Sequence, residues 1–76
     1  MSKIRVLVVD DSLFMRRMLS ELLMRDPEIE VVGAARDGQE GLELARQLKP
    51  DVITLDVEMP VLDGVAMLER LMAEQP

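Results

Sequence analysis

The side chains best placed to do chemistry in this chain are carboxylates that follow apolar runs. Asp10 and Asp11 come directly after Ile4–Val9, and Asp56 comes directly after a shorter run that begins at Val52. Apolar, β-branched runs of this kind are typical of buried strands in a parallel sheet. An acid at the carboxyl end of such a strand is a candidate nucleophile or metal ligand.

The composition excludes several other kinds of reactive site and partner. The 76-residue sequence contains no Cys and no His, which excludes disulfides, thiolate nucleophiles, structural zinc sites and acid–base chemistry by imidazole. Its net charge of −6 argues against nucleic acid as a direct partner. No apolar run approaches the roughly 20 residues of a membrane helix, and the N-terminus lacks a signal-peptide pattern. We therefore expect one small cytoplasmic domain that does not enter a membrane.

The chain alternates between strand patterns and helix patterns. Strands are predicted at Ile4–Val9, Glu28–Ala35 and from Val52 to the residue before Asp56; helices are predicted from Ser12 or Asp11 to about Arg25, from Asp37 to about Leu48, and over Val65–Glu74. The second strand alternates polar and apolar residues at its start, which suits an edge strand. Since every connection contains a helix, the strands must be parallel, and the prediction is an α/β fold.

Local signals indicate helix starts and buried faces. Asp37 and Glu40 form a predicted capping box, and Asp63 is the predicted N-cap of the third helix. Arg16 and Arg17 are predicted to lie on a solvated helix face. The predicted inward side chains are Phe14, Met15, Met18, Leu19, Leu22 and Leu23 in the first helix, Leu44, Ala45 and Leu48 in the second, and Val65, Leu68, Leu71 and Met72 in the third.

Topology predicts that the three acids converge. Right-handed crossovers that place the second and third strands on opposite sides of the first give a three-stranded sheet in the order 2-1-3, half of a doubly wound fold. Ligands of such sheets bind at the switch point, beyond the carboxyl ends of the strands. Asp10, Asp11 and Asp56 follow those ends, so we expect them in one crevice.

Like charges in one crevice repel each other unless a cation compensates them. An all-oxygen site selects Mg²⁺, Mn²⁺ or Ca²⁺, and Mg²⁺ is favoured because a few carboxylates and several waters satisfy it. Such an ion can neutralise an incoming phosphoryl group, which an aspartate can accept as an acyl phosphate. The simpler alternative is that Asp10 and Asp11 only cap a helix.

Three motifs resemble the receiver domain of bacterial two-component response regulators: Val-Val-Asp-Asp-Ser at 8–12, Leu-Asp-Val-Glu-Met-Pro at 55–60 and Asp-Gly at 63–64. They most resemble the N-terminal receivers of chemotaxis protein-glutamate methylesterases. The resemblance implies that Asp56 is the phosphoacceptor and a histidine kinase the phosphodonor. It also implies that Asp10, Asp11, Asp56 and the backbone carbonyl of Glu58 hold Mg²⁺.

The resemblance covers only the first half of a receiver, whose five strands run in the order 2-1-3-4-5. Residues 1–76 are therefore expected to be a truncated receiver made of the first three βα units. The family's later Ser/Thr and Lys, and the esterase domain, have no counterpart here. We accordingly expect weak Mg²⁺ binding, no enzyme activity and no working phosphorylation switch.

Two other functions stay open. The chain is alternatively a self-assembling structural module without signalling activity. A third possibility, an aspartate-nucleophile phosphatase of the haloacid dehalogenase type, needs Asp-x-Asp after the first strand, whereas Asp56-Val57-Glu58 follows the third. We also expect a homodimer or a swapped oligomer, because the third strand becomes an apolar edge and one face of the sheet carries a single helix.

Overall fold

The computed structural model describes residues 3–56 and 64–74, which form one parallel sheet with helices on both faces. The strands are β1 (Ile4–Val9), β2 (Ile29–Ala35) and β3 (Val52–Leu55), and the helices are α1 (Leu13–Met24), α2 (Gly38–Leu48) and α3 (Gly64–Glu74). Strands and helices alternate along the chain, and the strand order is β2-β1-β3. The predicted α/β fold and the order 2-1-3 are confirmed. No helix in the described ranges is both long and apolar enough to cross a membrane.

The core lies on the face of the sheet that carries α2 and α3. Leu7 and Val9 of β1 pack there with Leu42 of α2 and Met67 of α3, and each is at most 1% exposed. Gly41 permits this close approach: a methyl group added at Gly41 would lie 3.0 Å from the Sδ and Cε atoms of Met67 and from Cγ2 of Val9. The end of β1 that leads to the acids is therefore tightly packed.

The predicted inward face of α3 is largely wrong. Met67 and Leu71 are the buried side chains of α3, whereas Val65, Leu68 and Met72 are about half exposed. The helix is rotated about its axis relative to the prediction, so that only Leu71 of the predicted set is buried.

An ion pair accompanies that rotation of α3. The Arg46 guanidinium donates to both carboxylate oxygens of Glu74, from Nε and Nη2, each at 2.6 Å. The hydrogen bond from Arg46 lowers the pKa of Glu74, and the same bond raises the pKa of Arg46. The observed rotation brings Glu74 to Arg46 and Met67 to the space left by the missing side chain of Gly41. Both contacts with α2 favour this orientation of α3.

The α1 helix packs on β1 and β2 on the opposite face and has no fully buried residue. Part of its predicted inward face is exposed: Phe14 is 71% accessible, and Met18 and Leu22 are also exposed. Met15, Leu19 and Leu23 are partly buried against the sheet. The apolar surface of α1 is thus wider than the surface that the described residues cover.

The predicted caps of α1 and α2 are observed, but one predicted hydrogen bond of the capping box has a different donor. Ser12, not Asp11, caps α1, and its Oγ accepts from the Met15 amide. Asp37 caps α2 and accepts from the Glu40 amide at 2.8 Å. The Glu40 carboxylate accepts from the amide of Arg36 rather than from that of the cap residue. The predicted cap at Asp63 lies outside the described residues.

Candidate metal and phosphoacceptor site

Three carboxylates meet at the carboxyl ends of β1 and β3. One oxygen from each of Asp10, Asp11 and Asp56 lies within 4.8 Å of the others. Asp10 and Asp56 are partly buried, and Asp11 is exposed to solvent. The convergence predicted from topology is therefore present.

The sheet itself positions two of these acids. The amide of Asp10 donates to the Ala35 carbonyl of β2, and the amide of Asp56 donates to the Val9 carbonyl of β1, both at 3.0 Å. These bonds continue the parallel ladders one residue beyond the strands. Asp10 and Asp56 are thus held side by side because β1 and β3 are neighbours in register, with Val9 opposite Leu55.

The turn between β1 and α1 holds Asp10 further. Its Oδ1 accepts from the Ser12 amide at 2.9 Å, and its backbone carbonyl accepts from Nη1 of Arg16 at 2.8 Å. Arg16 is partly buried, so the prediction that it lies on a solvated face is wrong; Arg17 is exposed as predicted. The direction of helical side chains, which lean toward the helix N-terminus, is the signal that could have found this contact.

The surroundings of Asp11 in this cluster disfavour the charged form of its carboxyl group. The pKa of Asp11 is raised, first by partial loss of water around the group, then by a side-chain hydrogen bond with Asp56 and by the charges of Asp56 and Asp10. A cation bound between these carboxylates would offset their mutual repulsion.

The donor set fits a hard divalent cation. Oxygen ligands without His or Cys suit Mg²⁺, which binds oxygens at about 2.0–2.1 Å and keeps several of its waters. The three carboxylate oxygens lie within 4.8 Å of one another, close enough to face one ion. The predicted fourth ligand, the carbonyl of Glu58, lies outside the described residues.

A parallel sheet in the order β2-β1-β3, with acids at the adjacent carboxyl ends of β1 and β3, defines a receiver-like member of the doubly wound folds. The chain belongs to the response regulator receiver domain family, whose model matches residues 6–76.

Individual relatives agree with this family. The protein-glutamate methylesterase/protein-glutamine glutaminase of Symbiobacterium thermophilum is 66% identical over 73 residues, which is 96% of this chain and 20% of that protein. The response regulator domain of CheB from Thermotoga maritima is 53% identical, with a TM-score of 0.94 over 97% of this chain and 55% of the other. The chain thus spans about a fifth of the methylesterases and about half of that solved receiver.

Proposed function

We propose that this chain is the phosphoacceptor part of a two-component receiver. In this proposal Asp56 accepts the phosphoryl group, and Asp10, Asp11, Asp56 and the carbonyl of Glu58 hold Mg²⁺. The observation that carries the proposal is the convergence of three carboxylates within 4.8 Å, in a chain of the receiver family. A chain of the CheX–CheY–BeF3–Mg²⁺ complex from Borrelia burgdorferi, 29% identical with a TM-score of 0.88, supports it.

The proposed reaction is a displacement at phosphorus. A carboxylate oxygen of Asp56 forms a bond to phosphorus, the bond from phosphorus to the donor breaks, and the donor leaves with that electron pair. The product is an acyl phosphate on Asp56. Bound Mg²⁺ supplies charge neutralisation for the phosphoryl oxygens. Asp10 and Asp11 orient the site, and a histidine kinase is the expected donor in the cell.

The 76 residues alone are proposed to be a poor phosphoacceptor. In receivers, a Ser/Thr and a Lys from later strands contact the phosphoryl group, and these residues have no counterpart in this sequence. Donors of that kind stabilise a transition state by about 3–4 kcal/mol each. The methylesterase relatives are matched only over their receivers, so we propose no esterase activity for these residues.

The metal part of the proposal is tested by thermal unfolding at increasing Mg²⁺ concentration. An ion that binds only the folded chain raises its melting temperature by mass action. We expect millimolar Mg²⁺ to raise the melting temperature of the wild type but not of Asp11→Asn. Glu21→Gln, which removes an equal charge from an exposed position on α1, should respond like the wild type. A melting temperature that does not respond to Mg²⁺ would contradict the site.

The phosphoryl part is tested by intact-mass spectrometry with a small acyl-phosphate donor. We expect slow, Mg²⁺-dependent addition of one phosphoryl group that Asp56→Asn abolishes. Addition that persists in Asp56→Asn would contradict the assignment of the acceptor. Rapid stoichiometric addition would contradict the proposed need for the later Ser/Thr and Lys.

Self-association is a second proposed property, and one exposed surface favours it. We define the apolar flank as Phe14, Met18 and Leu22 of α1 together with Val52 of β3, all of which are exposed. Val52 lies opposite Val6, and both alternate with the core-facing positions of their strands, so they lie on the α1 side of the sheet.

The apolar flank includes Val52 of β3, which pairs with β1 alone among the described strands. Ala34 of β2 borders a groove on the other flank of α1, beside Ser20 and Met24. Phe14, Met18 and Leu22 do not line this groove, so the apolar flank occupies a different side of α1. We propose that a second copy of this chain covers the apolar flank, because burial stabilises by about 25 cal/mol for each Å² of apolar surface. Edge pairing of β3 or exchange of an element would accomplish this.

Size-exclusion chromatography with light scattering at micromolar concentration tests the second copy. We expect a dimer for the wild type and a shift toward monomer for Phe14→Gln. Met24→Gln is the matched control, because Met24 is also apolar and exposed but lines the groove instead of belonging to the apolar flank. A compact, cooperatively folded wild-type monomer would contradict self-association.

A further inference from the structure

We infer that Arg16 is a positioning residue for the metal site: its guanidinium fixes the peptide group that joins Asp10 to Asp11 and thereby sets the affinity for the cation. This inference rests on the proposed function, because it concerns the same site. It concerns a residue that would not contact the ion itself.

The contact is made to the atom that controls both acids. Nη1 of Arg16 donates to the backbone carbonyl of Asp10 at 2.8 Å. That carbonyl belongs to the peptide group that joins Asp10 to Asp11, so the bond ties the backbone between the two acids to α1. Loss of the bond would leave this turn, and with it the relative positions of Asp10 and Asp11, less restrained.

Within residues 3–56 and 64–74, the other hydrogen bonds of Asp10 involve its amide and its side chain, not its carbonyl. The Asp10 amide donates to Ala35, which fixes the preceding peptide group, and its Oδ1 accepts from the Ser12 amide. The bond from Arg16 therefore supplies the restraint on the carbonyl side. It is a hydrogen bond from a charged donor, which is stronger than a neutral one.

Arg16 is itself held at both ends. Its amide donates to the Ser12 carbonyl at 2.9 Å, which is the first hydrogen bond of α1, and its side chain runs back toward the start of that helix. It is partly buried and lines the groove between α1 and Ala34, next to Ser20. Because the Arg16 side chain is held in this way, it links α1 to the backbone carbonyl of Asp10.

The test compares Arg16→Met with Arg17→Met. Both substitutions remove one positive charge and leave an unbranched side chain, but Arg17 is exposed whereas Arg16 is partly buried. Affinity is measured on the 76-residue chain by titration with Mn²⁺, in which electron paramagnetic resonance counts the free ion, and by competition with Mg²⁺. Both ions prefer oxygen ligands.

We expect Arg16→Met to weaken binding about 10-fold, which is typical for loss of a residue that orients a metal ligand. Arg17→Met should stay within about twofold of the wild type, and Arg16→Lys, which keeps a charged donor, should recover most of the loss. Arg16→Gln is the second variant should Arg16→Met fail to fold: its amide is too short to reach the Asp10 carbonyl, so it should weaken binding to the same extent.

The outcomes separate this inference from the proposed function. A wild-type chain that binds neither ion overturns both. A wild-type chain that binds, with equal affinities for the Arg16→Met and Arg17→Met variants, overturns the role of Arg16 and leaves the metal site standing. Failure of Arg16→Lys to recover binding would likewise contradict a role through the hydrogen bond.

Discussion

Substitution of Gly41 by Ala tests whether the close contact between α2 and α3 is correctly described. The added methyl group would lie 3.0 Å from two atoms of Met67 and from Cγ2 of Val9. Met67 can shift its flexible end, but Val9 is branched at Cβ and belongs to the central strand. The methyl group therefore presses on the strand residue that directly precedes Asp10.

Two effects of opposite sign decide the magnitude. Ala is favoured over Gly in a helix interior by about 1 kcal/mol. Overpacking of a filled core costs about 1–3 kcal/mol. Since all three contacts are tight, we expect the cost to prevail and the free energy of unfolding to fall by about 1 kcal/mol. For a domain of this size that is a fall of about 4–8 °C in melting temperature.

Denaturant unfolding followed by circular dichroism measures this change in the free energy of unfolding. The decisive comparison is the same substitution made in the Met67→Ala variant. In Met67→Ala, two of the three close contacts disappear, so Gly41→Ala should become stabilising by up to about 1 kcal/mol. Replacement of the exposed Glu43 by Ala and by Gly measures the helix preference in the same helix. A Gly41→Ala variant that is more stable than the wild type would refute the described packing of Met67 on Gly41.

Three further predictions concern stability. Asp37→Ala should cost about 1 kcal/mol in chemical unfolding, because the amide of Glu40 loses its cap. Thr54→Val should be neutral or raise the free energy of unfolding by up to about 1–3 kcal/mol, since the Thr54 hydroxyl is buried without a hydrogen-bond partner among the described residues. The pKa of Glu74 is lowered from its ordinary value of 4.5, so its ion pair with Arg46 stabilises the fold above that pH and loses this effect as the pH falls through the lowered pKa. The stability difference between wild type and Arg46→Gln, followed by thermal unfolding across pH, should shrink only on that acidic side.

Features set by local chemistry and by sheet topology could be predicted from the sequence. The bounds of β1 match the predicted ones, because a short, β-branched and nearly all apolar run is typical of a strand covered on both faces. The convergence of Asp10 with Asp56 followed from parallel strands and a right-handed crossover. Asp37 was identified as a cap because a carboxylate before a helix satisfies free amides.

The predictions that differ from the structure share one cause: they concern features that depend on contacts between secondary-structure elements. The apolar residues of α3 admit more than one inward face, and the recess at Gly41 favours the face that carries Met67. The exposure of Phe14 depends on what covers α1, which periodicity does not specify. The charge of Arg16 predicts a solvent-facing side chain, whereas its direction along the helix brings Nη1 to the carbonyl of Asp10.

The central claim, that the three acids form a cation site, is tested most directly by nuclear magnetic resonance of the backbone amides during Mg²⁺ titration. We expect saturable shifts centred on Asp10, Asp11 and Asp56 that report weak binding and are absent from Asp11→Asn. Exposed acids elsewhere, such as Glu30 on β2, should show only small, non-saturating changes. Saturable shifts at Glu30 without any at the three aspartates, or no saturable shift at all, would contradict the claim.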